Sequence, residues 1–231
     1  AKVGEPLIQF YGYKTCGVWN SAEEIAANPH FSDDAPGGIR IVDTNNDGSL
    51  TPEDRVALGT PYPDFTWGIT NTFQIKDFDI SFLIQGVQGI TVLNGDVYYN
   101  ETKKWNKKYT KNRWVSAEHP GDGKTPYQNV KTGHDLMLTD YPLQNASYAC
   151  LRNFTVGYTL PATAARKIKL SGVRFYVSGS NLFYIWGSGY KGINPESRMT
   201  SGDYSSAMIS GYQRGGFPLT STISAGFDIN F

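Results

Sequence analysis

Residues 43–54, DTNNDGSLTPED, put oxygen-bearing side chains at the first, third, fifth and twelfth places of a twelve-residue loop, with glycine at the sixth. That spacing wraps hard oxygen ligands around Ca2+. Asp43, Asn45 and Asp47 would bind through side chains and Ser49 through its carbonyl, and Asp54 would close the site where such loops ordinarily carry glutamate. Aspartate is one methylene shorter, so modest affinity is expected. No amphipathic helix precedes the loop, because Ile39-Arg40-Ile41-Val42 reads as strand. The expected ion is therefore structural and not part of a switch. The competing reading is an Asx-rich turn closed by its own side-chain hydrogen bonds.

A second chemical signal interleaves positive charge with rings: Lys103, Lys104, Trp105, Lys107, Lys108, Tyr109, Lys111, Arg113 and Trp114. Nucleic-acid modules use such a mixture, but Lys plus Arg equals Asp plus Glu at 21 each, so no overall field recruits a polyanion. Trp105, Tyr109 and Trp114 are instead candidates for contact with a substrate or a covering partner. The alternative is a solvated charged loop.

Catalysis finds no support. His30, His119 and His134 stand in no zinc or nucleophile pattern, and the adjacent acids Asp33 and Asp34 read as loop carboxylates facing water. The glycines at 187–192 lack the lysine-serine ending and following helix of a phosphate cradle. Cys16 and Cys150 have neither metal-ligand spacing nor a disulfide framework around them. Ser21-Ala22-Glu23-Glu24 reads as a capping box opening a short helix.

The elements that must position these residues are strands. From Leu219 to the terminal Phe231, odd positions are apolar apart from Ser221, and even positions are small or polar. A period of two sends each set to its own face of a strand, one suited to lipid and one to a wet interior. Residues 65–75 and 78–88 obey the same rule, and 7–15, 147–160 and 172–186 complete a set of six expected strands. Most reach the roughly 9–11 residues that a tilted strand needs to cross a bilayer. With 39% hydrophobic residues and 14% aromatic, the composition carries no apolar run long enough for a membrane helix, and 25 Gly and 12 Pro supply turns.

The connections alternate strictly in length, at roughly 49, 2, 58, 11 and 32 residues, as barrels with short periplasmic turns and long external loops do. If the last strand descends to the periplasm, segments 16–64, 89–146 and 187–218 are extracellular. Six strands are too few to close a barrel of about 8 strands or more, so either the chain is part of a larger wall or further strands lie inside the long loops, and the density of Gly, Pro and Asn in those loops favours the first. The opening Ala1-Lys2-Val3-Gly4-Glu5 does not read as a signal peptide, which is expected of a mature chain or a fragment.

Several stretches resemble one family: FYGYK at 10–14, DTNNDGSLTPEDR at 43–55, QGV at 85–87, NRW at 112–114, LRNFTVGYTLP at 151–161, VSGSNLF at 177–183, YKGINPE at 190–196 and GGFP at 215–218. In this order they are similar to the C-terminal part of the SusC/RagA-type TonB-dependent outer-membrane transporters. The resemblance implies an all-β fold, a transmembrane antiparallel barrel of about 22 strands with a plugged lumen, of which 1–231 would be the final section. No stretch resembles the plug or the segment that contacts TonB. The resemblance further implies partners: the remainder of the barrel and its plug, a SusD-like surface lipoprotein lid, TonB, outer-membrane lipid, and a glycan or peptide substrate. The rival expectation is a soluble calcium-stabilised β-domain binding carbohydrate.

Overall fold

Alternation becomes register in a five-stranded antiparallel sheet. The computed structural model describes residues 3–6, 8–97, 111–128, 136–197 and 211–231. The first short strands are β1 (Phe10–Gly12), β2 (Thr15–Val18), β3 (Ile39–Ile41) and β4 (Val56–Gly59). The long strands are β5 (Phe65–Ile75), β6 (Phe78–Gln88), β9 (Tyr148–Thr159), β10 (Gly172–Trp186) and β12 (Thr222–Asn230). Their spatial order is β12-β10-β9-β6-β5. Between them lie β7 (Thr91–Asn94), β8 (Leu143–Asn145) and β11 (Tyr212–Gln213), which form a separate three-stranded sheet.

Pairing carries the apolar set across every long strand without a change of face. Phe73 faces Ile80, Ile80 faces Val156, Val156 faces Val177 and Val177 faces Ala225. One row nearer the sheet edge, Ile75, Phe78, Tyr158, Phe175 and Phe227 stand side by side. Directly opposed residues share a face, so this surface is mostly Phe, Ile, Val and Tyr, with Asn71, Gly179 and Ala225 among them. It is open: Ile223 is 74% exposed, Phe227 65% and Ile185 61%. The opposite face carries Thr70, Thr72, Ser81, Thr155, Ser178 and Ser224. Among the described residues no helix is long and apolar enough to cross a membrane.

The two ends of the sheet differ. At one end β5 and β6 are joined by Lys76 and Asp77 alone, Lys76 taking a left-handed φ of 55°. At that same end β9 and β10 are joined through a helix, Ala162–Lys167, with Ala165 buried. At the other end the long segments fold into a cap that holds most of the buried residues, among them Trp19, Ile39, Val92 and Leu136.

The sixth expected strand does not join the wall. Residues 7–15 divide instead, with β1 pairing β4 and β2 pairing β3 inside the cap. The cause is backbone competition. The Tyr13 amide donates to the Leu138 carbonyl at 2.8 Å, and the Tyr13 carbonyl accepts from the Asp140 amide at 3.0 Å. Gly12 meanwhile abuts the Leu138 carbonyl so closely that no side chain fits there. The long loops also contain short strands, with β11 lying parallel to β7, but these belong to the cap sheet and add nothing to the wall.

Candidate functional site

The polar face of the wall holds two charged constellations. Near the tight-turn end, Arg174 on β10 makes a two-pronged contact with Asp79 on β6, at 3.0 Å from Nε and 2.7 Å from a terminal nitrogen. It also reaches Asp228 on β12 at 3.4 Å. Strand β9 lies between β10 and β6, and the position Arg174 must cross is Gly157, where an added Cβ would meet the guanidinium at 2.5 Å. The same guanidinium lies 5.2 Å from the Tyr176 ring, and that ring covers Gly226.

Toward the capped end stands the second constellation. Arg152 occupies an irregularity in β9, where pairing to β6 shifts between Leu83 and Ile84. Such a bulge re-aims a side chain. One Arg152 nitrogen donates to Asn181 Oδ1 at 2.7 Å and to the Tyr184 hydroxyl at 3.0 Å, and another pairs with Glu196 at 2.7 Å. The Tyr184 hydroxyl in turn donates to Glu196 at 2.8 Å. Asn181 takes a left-handed φ of 55° where β10 departs from regular pairing with β9.

Above the wall, Val87, Ile90, Val92, Ala146, Tyr148, Cys150 and Tyr190 form one apolar cluster. Burial pushes the Tyr190 hydroxyl up to about 12, and it donates to Gln213 at 2.7 Å. A cleft of about 790 Å³ opens in the cap between Thr15, Ile39, Asp122, Asp140, Gln144 and Lys191. Asp140 is fixed there by the Thr15 amide at 3.0 Å and hydroxyl at 2.6 Å.

The 43–54 loop closes on itself. Asp43 accepts the amides of Asn46 and Gly48, Asn45 accepts that of Asp47, and Asp47 accepts that of Ser49, all at 2.7–2.9 Å. Asn46 and Gly48 take left-handed φ values of 59° and 84°. Asp54 ties the start of the loop to its end. It is fully buried and accepts the amides of Thr44 and Thr51 at 2.8 Å each, so it caps the short helix Pro52–Asp54. Burial pushes its carboxyl up, but the donors from Thr51, Thr44 and Asn45 outweigh this and hold it below the usual range. Asp43, Asn45, Asp47 and Ser49 thus line one turn, and Asp54 meets its start through the amides of Thr44 and Asn45. Among the described residues no three His, Cys, Asp or Glu side chains converge as a metal ligand set.

Trp105 and Tyr109 lie outside the described residues. Trp114 is inside the cap, 8% exposed, its indole nitrogen donating to Asn20 at 3.0 Å and its ring edge-on to Tyr127. Ser21 caps the short helix, its hydroxyl accepting the Glu24 amide, but the Glu24 carboxylate reaches the amide of Asn20 and not that of Ser21, so only half of the expected capping box forms. Sequence reasoning missed Arg152, Glu196, Arg174 and Asp79. Both cationic residues lie in strands, yet each pairs with an acid distant in sequence.

No protein-family profile matches the chain. TonB-dependent receptor P26 of Formosa agariphila is 30% identical over 239 residues, which cover 99% of this chain and 23% of that protein. TonB-dependent receptor P3 of the same organism is also 30% identical, over 99% of this chain. Over nearly its whole length the chain is similar to TonB-dependent receptors. SusC of Bacteroides thetaiotaomicron is 26% identical over 83% of the chain. The solved RagAB peptide transporter covers 96% of the chain at a TM-score of 0.69 and 18% identity, which shows the same barrel fold. The chain spans about a quarter of the length of these relatives, 23% of P26 and 22% of P3. These relatives are named as receptors and not as enzymes.

Proposed function

We propose that this chain is the C-terminal wall section, with extracellular loops 16–64, 89–146 and 187–218, of a TonB-dependent importer that takes up glycans or peptides across an outer membrane. The observation that carries the reading is the apolar face running from β5 to β12, a contiguous exposed surface of a kind that soluble monomers rarely leave open to water. Two further features support it. The loops gather at one end of the sheet, and β5 and β12 are edge strands with no described partner on their outer sides. A transmembrane sheet closes its edges, because hydrocarbon offers no hydrogen bonds to orphaned amides and carbonyls. The remaining strands, the plug and the TonB contact belong to other parts of the same protein, and the lid is a SusD-like lipoprotein. The soluble carbohydrate-binding alternative leaves the apolar belt without a role.

The test is made on the full-length gene in its host. The protein should fractionate with the outer membrane, need detergent for extraction and bring a surface lipoprotein with it. Its deletion should abolish growth on one polymeric nutrient. Recovery in the soluble fraction, with growth unaltered on every nutrient, would overturn the reading.

Calcium is proposed at Asp43, Asn45, Asp47 and the Ser49 carbonyl, as a brace for the loop. The three side chains already face one turn, which favours it, whereas Asp54 serves as an anchor. Calorimetric titration of the full-length protein with Ca2+ should give heat that EDTA removes. Absence of heat, with loop amide exchange unchanged by EDTA, rejects the ion.

A further inference from the structure

Three of the family-like stretches meet at one cluster. Arg152 comes from LRNFTVGYTLP, Asn181 from VSGSNLF and Glu196 from YKGINPE, with Tyr184 completing the group. The first two lie in wall strands, but Glu196 lies in the segment that leaves β10 after Trp186. That segment turns back over the polar face. The Gly187 amide donates to the Ser147 carbonyl at 2.7 Å, and Tyr190 packs in the cluster with Val87, Tyr148 and Cys150. Tyr148 and Cys150 face Val87 and Gln85 in the register, on the side away from Phe82 and Ile84. Arg152 is four residues below the capped end of β9. Glu196 is therefore held against the wall, between Arg152 on β9 and Tyr184 on β10.

We propose that residues 187–197 form a strap folded into the passage and that the Arg152–Glu196 pair is its anchor, so that the two residues set how bulky a molecule can pass along the polar face. The inference rests on the transporter reading above. The anchor is built for position. Arg152 sits on a bulge that aims it inward, its planar fork engages three oxygen atoms at once, and the Tyr184 hydroxyl donates to the same Glu196 oxygen. The strap is tied also on both sides of Glu196, where Asn194 Nδ2 donates to the Phe217 carbonyl at 3.1 Å and Gln213 Nε2 donates to the carbonyls of Asn194 and Ser197. Loss of the anchor thus releases the strap from β9 and β10 while its ties to residues 213 and 217 remain. Arg152 and Glu196 act here as positioning residues.

The experiment uses the full-length transporter in intact cells, with Cys16→Ser and Cys150→Ala as background and a single reporter, Ser178→Cys, deeper on the polar face. Labelling rates are compared for N-ethylmaleimide and a maleimide-bearing polyethylene glycol. Glu196→Gln and Arg152→Met should each raise the ratio of large-reagent to small-reagent rate at least fivefold. The exchange Arg152→Glu with Glu196→Arg should return it toward the starting value. An unchanged ratio in both single variants overturns the proposal, as does failure of the small reagent to reach the reporter at all. A second reporter, Ile223→Cys on the apolar face, separates the two readings: labelling as fast as at Ser178→Cys would sink the membrane assignment itself.

Discussion

Arg174 grips Asp79 across an intervening strand, with both carboxylate oxygens engaged within 3.0 Å. Only the missing side chain of Gly157 lets the guanidinium lie flat over β9. Three strands are thereby tied by one residue, because Asp228 on β12 joins the same group.

Gly157→Val should consequently break the tie although it touches neither charge. The branched side chain fits a strand by propensity, so a local view predicts a neutral or stabilising change. The geometry predicts a loss of about 1–3 kcal/mol, the range for disrupted charged hydrogen bonds. Thermal unfolding of the full-length protein in detergent, followed by heat-modifiable gel mobility, should show a lower midpoint. Combination with Asp79→Asn should add little further loss.

The two faces should respond oppositely to the same charge. Phe227→Arg places a cation on the apolar face and should cost about 2–4 kcal/mol if that row lies near mid-bilayer. Ser224→Arg, three positions earlier on the polar face, should be nearly neutral. Urea unfolding of the full-length protein in lipid vesicles gives both values, and equal costs would contradict the assignment of faces.

Asp54 separates anchoring from metal binding. Glutamate there would complete a conventional calcium loop and tighten the ion. As an anchor, Asp54 has no room for another methylene, being fully buried with both oxygens engaged. Asp54→Glu should therefore loosen residues 43–55, with faster amide exchange at Thr44 and Thr51. The pH response follows from the depressed carboxyl. Its contribution is complete above the unfolded value of about 3.9 and disappears as pH falls through the lower folded value. Exchange at Thr44 and Thr51 should be pH-insensitive in this respect from neutrality down to about 4, after allowing for intrinsic exchange chemistry, and accelerate below it.

Trp114 behaves as packing. Trp114→Ala should cost about 3–5 kcal/mol in local cap stability, and Asn20→Ala about 1 kcal/mol through its lost indole hydrogen bond. Exchange protection of the amides at Gly37 and Tyr127, which adjoin the ring, reports both.

The wall was readable because its information is local: alternation in 65–75, 78–88 and 222–230 survives pairing unchanged. Residues 7–15 alternate as well, yet their amides and carbonyls were claimed by residues 56–59 and 138–140, and no window around Phe10 contains those partners. Asp54 was ambiguous for a different reason. The spacing Thr51 to Asp54 is a capping box as well as the end of a calcium loop, and the cap geometry prevailed. Trp114 sits beside Arg113 in a basic context that suggested exposure, but Asn20, far upstream, decides where its ring lies. Arg152 and Glu196 stand 44 positions apart, and only the return of the chain after Trp186 brings them together.

The turn at Lys76 and Asp77 has a bearing on the order of assembly. It brings β5 and β6 together over two residues, at little cost in chain entropy, whereas β6 meets β9 only after the long stretch 89–147. The hairpin can therefore zip up early and offer β6 as the template on which the later strands line up.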